Sequence, residues 1–527
     1  MKNNILKRIL IFCLGVIVFI FALGLGACDG AGSSSEGEYT PPEFIVGDDE
    51  TGNGDTESPS SGNQGTSGSS VKYTPAKNWG SFEVYKKTFG RIGDDVMPIG
   101  GFSGPFQPKS PSYNGQVQPD FLDDYYWELF SDCGVNNIMF TRNEYREDTA
   151  AVMRALDQAE KHNMLFFVRD QQLKRENYNE ATFSKFYDVV KDYIDHPACA
   201  GIYGIDEPVA SEFEGLKGLK STFDSMNFDD REVYINMLPN YAGANSFGSY
   251  GTYEGYLRGY MNTVGMPYLM YDYYPFVMNA DALDLDKNIR IIPYFQNIAT
   301  VRKVANDFKV PFWAFVQAGG QWEGESGVPK ATEYPLFPSE SSFLWNINTL
   351  LAYGMKGMAY FDLIQDPILE ELNIAETPGG GRDYTRFGIV GGLGNINQWY
   401  YYAVKAATQI QAIDQVLLNS SNQGIMAVGS RAYMLGEGEE IIGGSSWREL
   451  VGLDAENAIL GCFDYQGRTA LYVVNNSFDQ KQKITLKFDD KYGYDVTQRG
   501  QKVSVATDKL QLTVEAGEGV LVVLRAQ

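Results

Sequence analysis

The chain has 527 residues, 67 acidic side chains against 43 basic ones, and a formal net charge of -24. That length exceeds one ordinary core, so two folded domains are expected, and the charge excludes nucleic acid as a partner because a polyanion would be repelled. The 34 tyrosines, 31 phenylalanines and seven tryptophans suit sugar-stacking faces and a large core equally well.

At the N-terminus, Lys2, Lys7 and Arg8 precede an apolar run from Ile9 to about Leu25. Leu25-Gly26-Ala27-Cys28 follows and resembles the lipobox of a bacterial lipoprotein signal, which makes residues 1–28 a signal peptide and Cys28 the lipidated residue. The alternative is an uncleaved membrane anchor, for which the run is short. Both place the bulk of the chain outside the cytoplasmic membrane, lipid-anchored in the bacterial cell envelope in the first case, and the long tether favours the cell surface. Residues 29–75 are rich in Ser, Gly and acids, with too little apolar content to fold, and read as a disordered tether.

Apolar runs at Val96–Phe102, Asn137–Thr141, Met164–Arg169, Ala200–Ile205, Val233–Leu238, Tyr268–Tyr273, Pro311–Gln317 and Gly357–Phe361 predict eight strands. Helical spacing recurs between and after them, at Asp120–Cys133, Thr149–Asn163, Ala181–Asp195, Glu212–Met226, Ser341–Tyr353 and Gln398–Leu418. The alternation predicts a (β/α)8 TIM barrel over residues 76–418. A doubly wound open sheet is the alternative, but no Gly-rich phosphate loop follows the first strand. From residue 419 to 527 the texture changes to short alternating strands, among them Ala470–Asn475, Lys483–Phe488, Leu510–Val514 and Gly519–Leu524. These predict a C-terminal all-β sandwich domain that serves as a packed cap rather than a carbohydrate-binding module.

Cys133, Cys199 and Cys462 fall in predicted core segments without metal-ligand spacing, and read as buried thiols. The only histidines, His162 and His196, each precede a strand, at the barrel end opposite the strand C-termini. Ser-His-Asp, Cys-His and His-rich zinc chemistry therefore lack their imidazole.

Carboxylates remain. Cys199 to Pro208 reads as a buried strand ending in Asp206, Glu207 and a strand-stopping proline. Cleavage of an acetal needs a protonated carboxyl for the leaving oxygen and a second carboxylate that attacks the anomeric carbon or activates water. Glu207 is the candidate proton donor, since partial desolvation and neighbouring acids raise a carboxyl's pKa. The structural alternative is that Glu207 caps the next helix or pairs with an arginine.

Gly204-Ile205-Asp206-Glu207-Pro208 resembles the end of the fourth strand in clan A glycoside hydrolases, where the usual Asn-Glu-Pro carries the acid/base glutamate. Tyr271-Asp272-Tyr273-Tyr274-Pro275, Phe312 to Gln317 and Ala359 to Asp362 agree in order with later strands, and the resemblance covers about Trp79 to Leu418. It implies a carbohydrate substrate; no organic cofactor is expected, and no tight acidic cluster in the sequence demands a metal. It also implies a nucleophilic glutamate near the end of the seventh strand, where this chain has Gln317. Asp272 ranks first as the second carboxylate and Glu323 next, with Glu325 beside it. Gln317 is alternatively a substrate contact while a sugar's own acetamido group attacks, as in substrate-assisted glycosidases; Tyr271-Asp272 is similar to a pair in chitinase-like barrels. Asp170, Asp206 and Asp362 are candidate ligands for sugar hydroxyls, and Tyr203, Tyr273, Tyr274 and Trp322 candidate sugar platforms; Trp313, mid-strand, reads as core. Two other readings stay open: a glycan-binding surface lipoprotein on a degenerate barrel, and a metal-assisted hydrolase using Asp170, Glu207, Asp272 and Asp362, for which Mg or Ca would be the natural ion.

Overall fold

The computed structural model describes residues 44–46, 87–102, 104, 112–113, 116–117, 120–139, 149–228, 230–276, 284–318, 339–364, 388–391, 394, 396 and 398–525. Cys28, Trp322, Glu323 and Glu325 lie outside the described residues, as does the leader.

Each of the eight predicted runs carries a strand: β1 (Ile99–Gly101), β2 (Asn137–Ile138), β3 (Leu165–Val168), β4 (Cys199–Asp206), β5 (Glu232–Asn236), β6 (Leu269–Tyr271), β7 (Phe312–Gln317) and β8 (Met358–Phe361). They pair in the order β5-β4-β3-β2-β1-β8-β7-β6, every pair parallel. A parallel bridge between Met237 and Tyr271 joins the two ends, with the Met237 N–H donating to the Met270 carbonyl at 2.9 Å. The ring is closed, and all eight strand C-termini open on one face.

Around it run α1 (Asp124–Asp132), α2 (Thr149–Lys161), α3 (Phe213–Ser225), α4 (Tyr253–Val264), α5 (Ile291–Phe308), α6 (Glu340–Ala352) and α7 (Gln398–Gln411). The helix expected over 181–195 is instead two short pieces, Glu180–Phe183 and Phe186–Val190. Between them the Ser184 hydroxyl donates to the Ala181 carbonyl at 3.0 Å, in competition with the helical ladder. Helices α4 and α5 are not among the expected elements. In α4, Thr252 caps the Gly255 N–H and Gly265 closes the helix in the left-handed region.

The C-terminal strands are β9 (Ser420–Gly429), β10 (Leu450–Asp454), β11 (Asn457–Tyr465), β12 (Arg468–Asn475), β13 (Gln482–Gln498), β14 (Gln501–Val514) and β15 (Gly519–Leu524). All pair antiparallel. The 17-residue β13 links two parts of the sheet: its first half pairs with β10 and its last five residues with β15. Leu460, Val473, Leu486, Val496, Leu512 and Val522 are buried between them. Phe44–Val46, within the segment read as a tether, adds a short strand against Leu510–Leu512 of β14.

Helix α6 is buried almost all round, because it is packed between the barrel and this sheet. Trp345 Nε1 donates to Asn476 Oδ1 at 2.8 Å, and Asn348 Nδ2 to the Gly517 carbonyl at 2.8 Å. Such polar bonds let a helix with no solvent face stay satisfied. Cys133, Cys199 and Cys462 are buried free thiols. The two histidines sit before β3 and β4, bonded to Asp124 at 2.7 Å and Asp157 at 3.2 Å.

Candidate functional site

Strand β4 is buried from Cys199 to Ile205 and emerges only at Asp206. Its approach to β5 depends on Gly201, whose φ is +131° and where a Cβ would lie 1.9 Å from the Glu232 carbonyl oxygen. This approach puts Asp206 opposite Asn236 in the ladder. Glu207 follows with φ at +49°, a left-handed conformation that is costly for a residue other than glycine. Its N–H donates to the Asn236 carbonyl at 2.9 Å.

Three acids converge here. Asn236, 1% exposed, donates through Nδ2 to Asp206 Oδ1 at 2.9 Å and to Asp272 Oδ1 at 3.1 Å. Asp272, at the end of β6, is buried and hydrogen-bonded to Glu207. Burial, then the charges of Glu207 and Asp206, push Asp272 far above the ordinary carboxyl range. Glu207 is raised to about 7, by burial first and the Asp206 charge second; the bond from Asp272 works in the opposite direction. Asp272 is therefore the protonated member and donates to Glu207. Two carboxyls a hydrogen bond apart in a buried site cannot both ionise at modest cost.

The structural jobs foreseen for Glu207 are done by another residue. Glu212 accepts the Val209 N–H at 2.8 Å at the start of the next turn, and its other oxygen pairs with Arg175 Nε at 3.2 Å. Among the described residues, Glu207 makes neither a capping bond nor an arginine ion pair of its own.

Several expected ligands have other work. Asp170 accepts the Gln172 N–H at 2.8 Å and the Tyr193 hydroxyl at 3.1 Å, bonds that shape its loop. Tyr203, only 4% exposed, stacks on Tyr234 at 5.3 Å and carries the Arg169 guanidinium over its ring at 5.0 Å. Tyr273 is buried, its hydroxyl donating to the Arg290 carbonyl at 3.0 Å. Neither presents a ring face. Tyr274 is half-buried against Phe361, and its hydroxyl is driven up by burial, then by Asp272, Tyr241, Asp206 and Glu207. It faces the acids, as does Asp206, which also borders a cavity of about 310 Å³ shared with Arg169, Asp170, Arg175 and Tyr203. Asp362 is half-buried at the end of β8. Trp313 is core, as expected.

Gln317 is not a sugar contact. Its Oε1 accepts the Phe276 N–H at 3.1 Å and its Nε2 donates to the Phe276 carbonyl at 2.9 Å, which clamps the β6 loop. This explains why glutamine stands where the resemblance implies glutamate, since a carboxylate has no proton to offer that carbonyl. Gln317→Glu is accordingly expected to create no nucleophile and to destabilise the fold by about 1–3 kcal/mol, read as a lower urea midpoint with unchanged slope.

Sequence reasoning missed Asn236, Tyr241 and Arg290. Tyr241 follows β5, is 46% exposed, and packs on Tyr273 at 5.2 Å. Burial, then the charges of Asp272 and Glu207, push its hydroxyl well above the ordinary phenol range. The signal for Asn236 was available: a lone amide inside the apolar run Val233–Leu238, at a strand's C-terminal end.

No family model and no curated protein matches the chain. Solved structures with a similar fold include several glycosidases. They include Amy13B of Eubacterium rectale (TM-score 0.46, 11% identity, 86% of this chain and 100% of that one). A GH27 β-L-arabinopyranosidase from Geobacillus stearothermophilus follows (TM-score 0.44, 10% identity, 85% and 98%). The β-galactosidase of the psychrophilic Marinomonas ef1 has a TM-score of 0.39 at 10% identity, and the match spans 63% of each chain. At these values the likeness bears on neither activity nor substrate.

Proposed function

We propose that this chain is a glycoside hydrolase in which Glu207 protonates the departing glycosidic oxygen. The observation that carries the reading is the hydrogen bond between Glu207, raised to about 7, and a buried, protonated Asp272 at the open end of the barrel. A carboxyl poised near neutrality is what general acid catalysis at neutral pH requires. As Glu207 releases its proton, the bond from Asp272 becomes charge-assisted and stabilises the carboxylate that forms.

In this reading Asp272 assists the acid rather than attacking the sugar. Opposed catalytic carboxyls stand about 5–5.5 Å apart in retaining enzymes and about 6.5–9.5 Å apart in inverting ones. Asp272 is buried and interacts directly with Glu207, so this reading makes it the acid's partner, with a carboxyl separation below both ranges, and takes the attacking oxygen from elsewhere. Glu323 is the chain's own candidate, and an acetamido oxygen of the sugar the substrate's. The test is release of reducing ends from a panel of oligosaccharides by the wild type, against Glu207→Gln. A glycan-binding protein would release none from any member.

The leader supports a lipid-anchored, extracytoplasmic address with Cys28 as the modified residue. Labelled palmitate is expected to enter the wild type in its native host and not Cys28→Ala; equal labelling of both would remove the anchor assignment.

A further inference from the structure

One cation at the mouth, Arg290, has no counterion among the described residues. The Arg290 guanidinium lies over the Tyr241 ring, 4.9 Å from its centroid. Its backbone is fixed at both ends: the N–H donates to Asn288 Oδ1 at 2.9 Å, and the carbonyl accepts the buried Tyr273 hydroxyl at 3.0 Å. The nearest acids in sequence are spent elsewhere. Asp284 pairs with Lys287 at 2.6 Å, and Asp286 takes Arg431 in a two-pronged bond at 2.9 and 2.6 Å. Among the described residues no carboxylate makes an ion pair with Arg290.

The chain has 67 acids for 43 bases, so an arginine without an acid is a choice of place rather than a shortage of partners. A guanidinium held over a tyrosine ring can still direct its N–H donors at a planar or tetrahedral oxyanion. The same Tyr241 packs on Tyr273, the residue after Asp272, at 5.2 Å, and its hydroxyl feels the charges of Asp272 and Glu207, so the cation stands on the same side of the barrel as the acids. Lys174 and Arg175, around the neighbouring cavity, differ: they pair with Glu176 at 2.7 Å and Glu212 at 3.2 Å.

We infer that the saccharide bound here is acidic, and that Arg290, held by Tyr241, recognises its carboxylate or sulfate. Resting on the reading of the mouth as a glycan site, this assigns the substrate class: uronate-bearing or sulfated sugars. A neutral glycan gains nothing from an arginine so placed, whereas an anionic one needs it to approach a site that already holds three acids.

The test is calorimetric titration of the wild-type protein with matched oligosaccharides: glucuronate against glucose ends, galacturonate against galactose ends, and 6-sulfated against unsulfated N-acetylglucosamine ends. At least one acidic member is expected to bind ten times or more tighter than its neutral match, and the advantage should shrink with added salt. Which pair shows it separates carboxylate from sulfate. Arg290→Gln should erase the advantage while leaving the neutral affinity in place, and Arg290→Lys should restore part of it. Equal affinities within every pair, no binding by any acidic member, or a loss in Arg290→Gln that falls equally on neutral and acidic sugars would overturn the inference. Acidic preference without bond cleavage would leave it standing and sink the hydrolase reading; cleavage of neutral sugars indifferent to Arg290→Gln would do the reverse.

Discussion

Glu207→Gln is expected to lower the turnover of a susceptible glycoside by about 10²–10⁴-fold, while ligand affinity stays close to that of the wild type. The amide keeps the size of the carboxyl and can still accept the bond from Asp272, but it has no proton to give a leaving oxygen. The wild-type rate should fall as pH rises through about 7, where Glu207 loses that proton. The same group leaves a mark on stability. Its folded pKa is raised from 4.5 to about 7, so the folded state binds more protons than the unfolded one across that window. Its stabilising contribution is complete below the unfolded value and is lost as pH climbs through the folded one. Glu207→Gln should therefore be near neutral for stability at pH 4 and stabilising by on the order of 2 kcal/mol at pH 8, measured as urea midpoints at the two pH values. A variant equally stable at both but still inactive would mean that the carboxyl is not strained by its burial. A variant with full turnover would dispose of the acid role.

Both results depend on how neighbours in space, not in sequence, set the character of Glu207, and this decides how much of the site could be read from the chain. The eight strands were legible because each is an apolar run that ends at a polar break, and a closed barrel demands that pattern on every strand. Helix α4 was not, because Gly255 and Gly259 interrupt its propensity while Tyr253, Tyr256 and Tyr260 blur the spacing; Gly259 is there to seat the Tyr250 ring. Helix α5 buries Ile291, Phe295, Ile298, Val301 and Val304 but also Asn297 and Arg302, so its apolar face has no clean edge in sequence. Among site residues, Glu207 was legible from its place at a strand end. The exchange of Tyr273 for Tyr241 as the exposed aromatic was not, since which of two stacked rings meets solvent is decided by the order of packing. Nor was the employment of Gln317, whose partner Phe276 lies 41 positions away and is brought near only by barrel closure.

Asp272→Asn is expected to cost about 10²-fold in turnover while leaving the alkaline limb of the rate profile near 7. Asparagine keeps the shape, still accepts from Asn236 and still offers a donor toward Glu207. What it removes is an acidic proton that can move toward Glu207 as that carboxyl empties, so the loss falls on the transition state more than on binding and should appear in kcat rather than KM. The position of the limb tests the protonation state directly. Burial, with Glu207 and Asp206 as like charges, keeps Asp272 neutral; replacing one neutral donor by another changes no charge beside Glu207, and its pKa is left to burial and Asp206, the two causes that dominate it. Were Asp272 ionised at neutral pH, the substitution would delete a negative charge in hydrogen-bond contact with Glu207 and the limb would move well below 7. A large downward shift would therefore reverse the assignment of the proton within the pair, and an unchanged kcat would remove Asp272 from the chemistry.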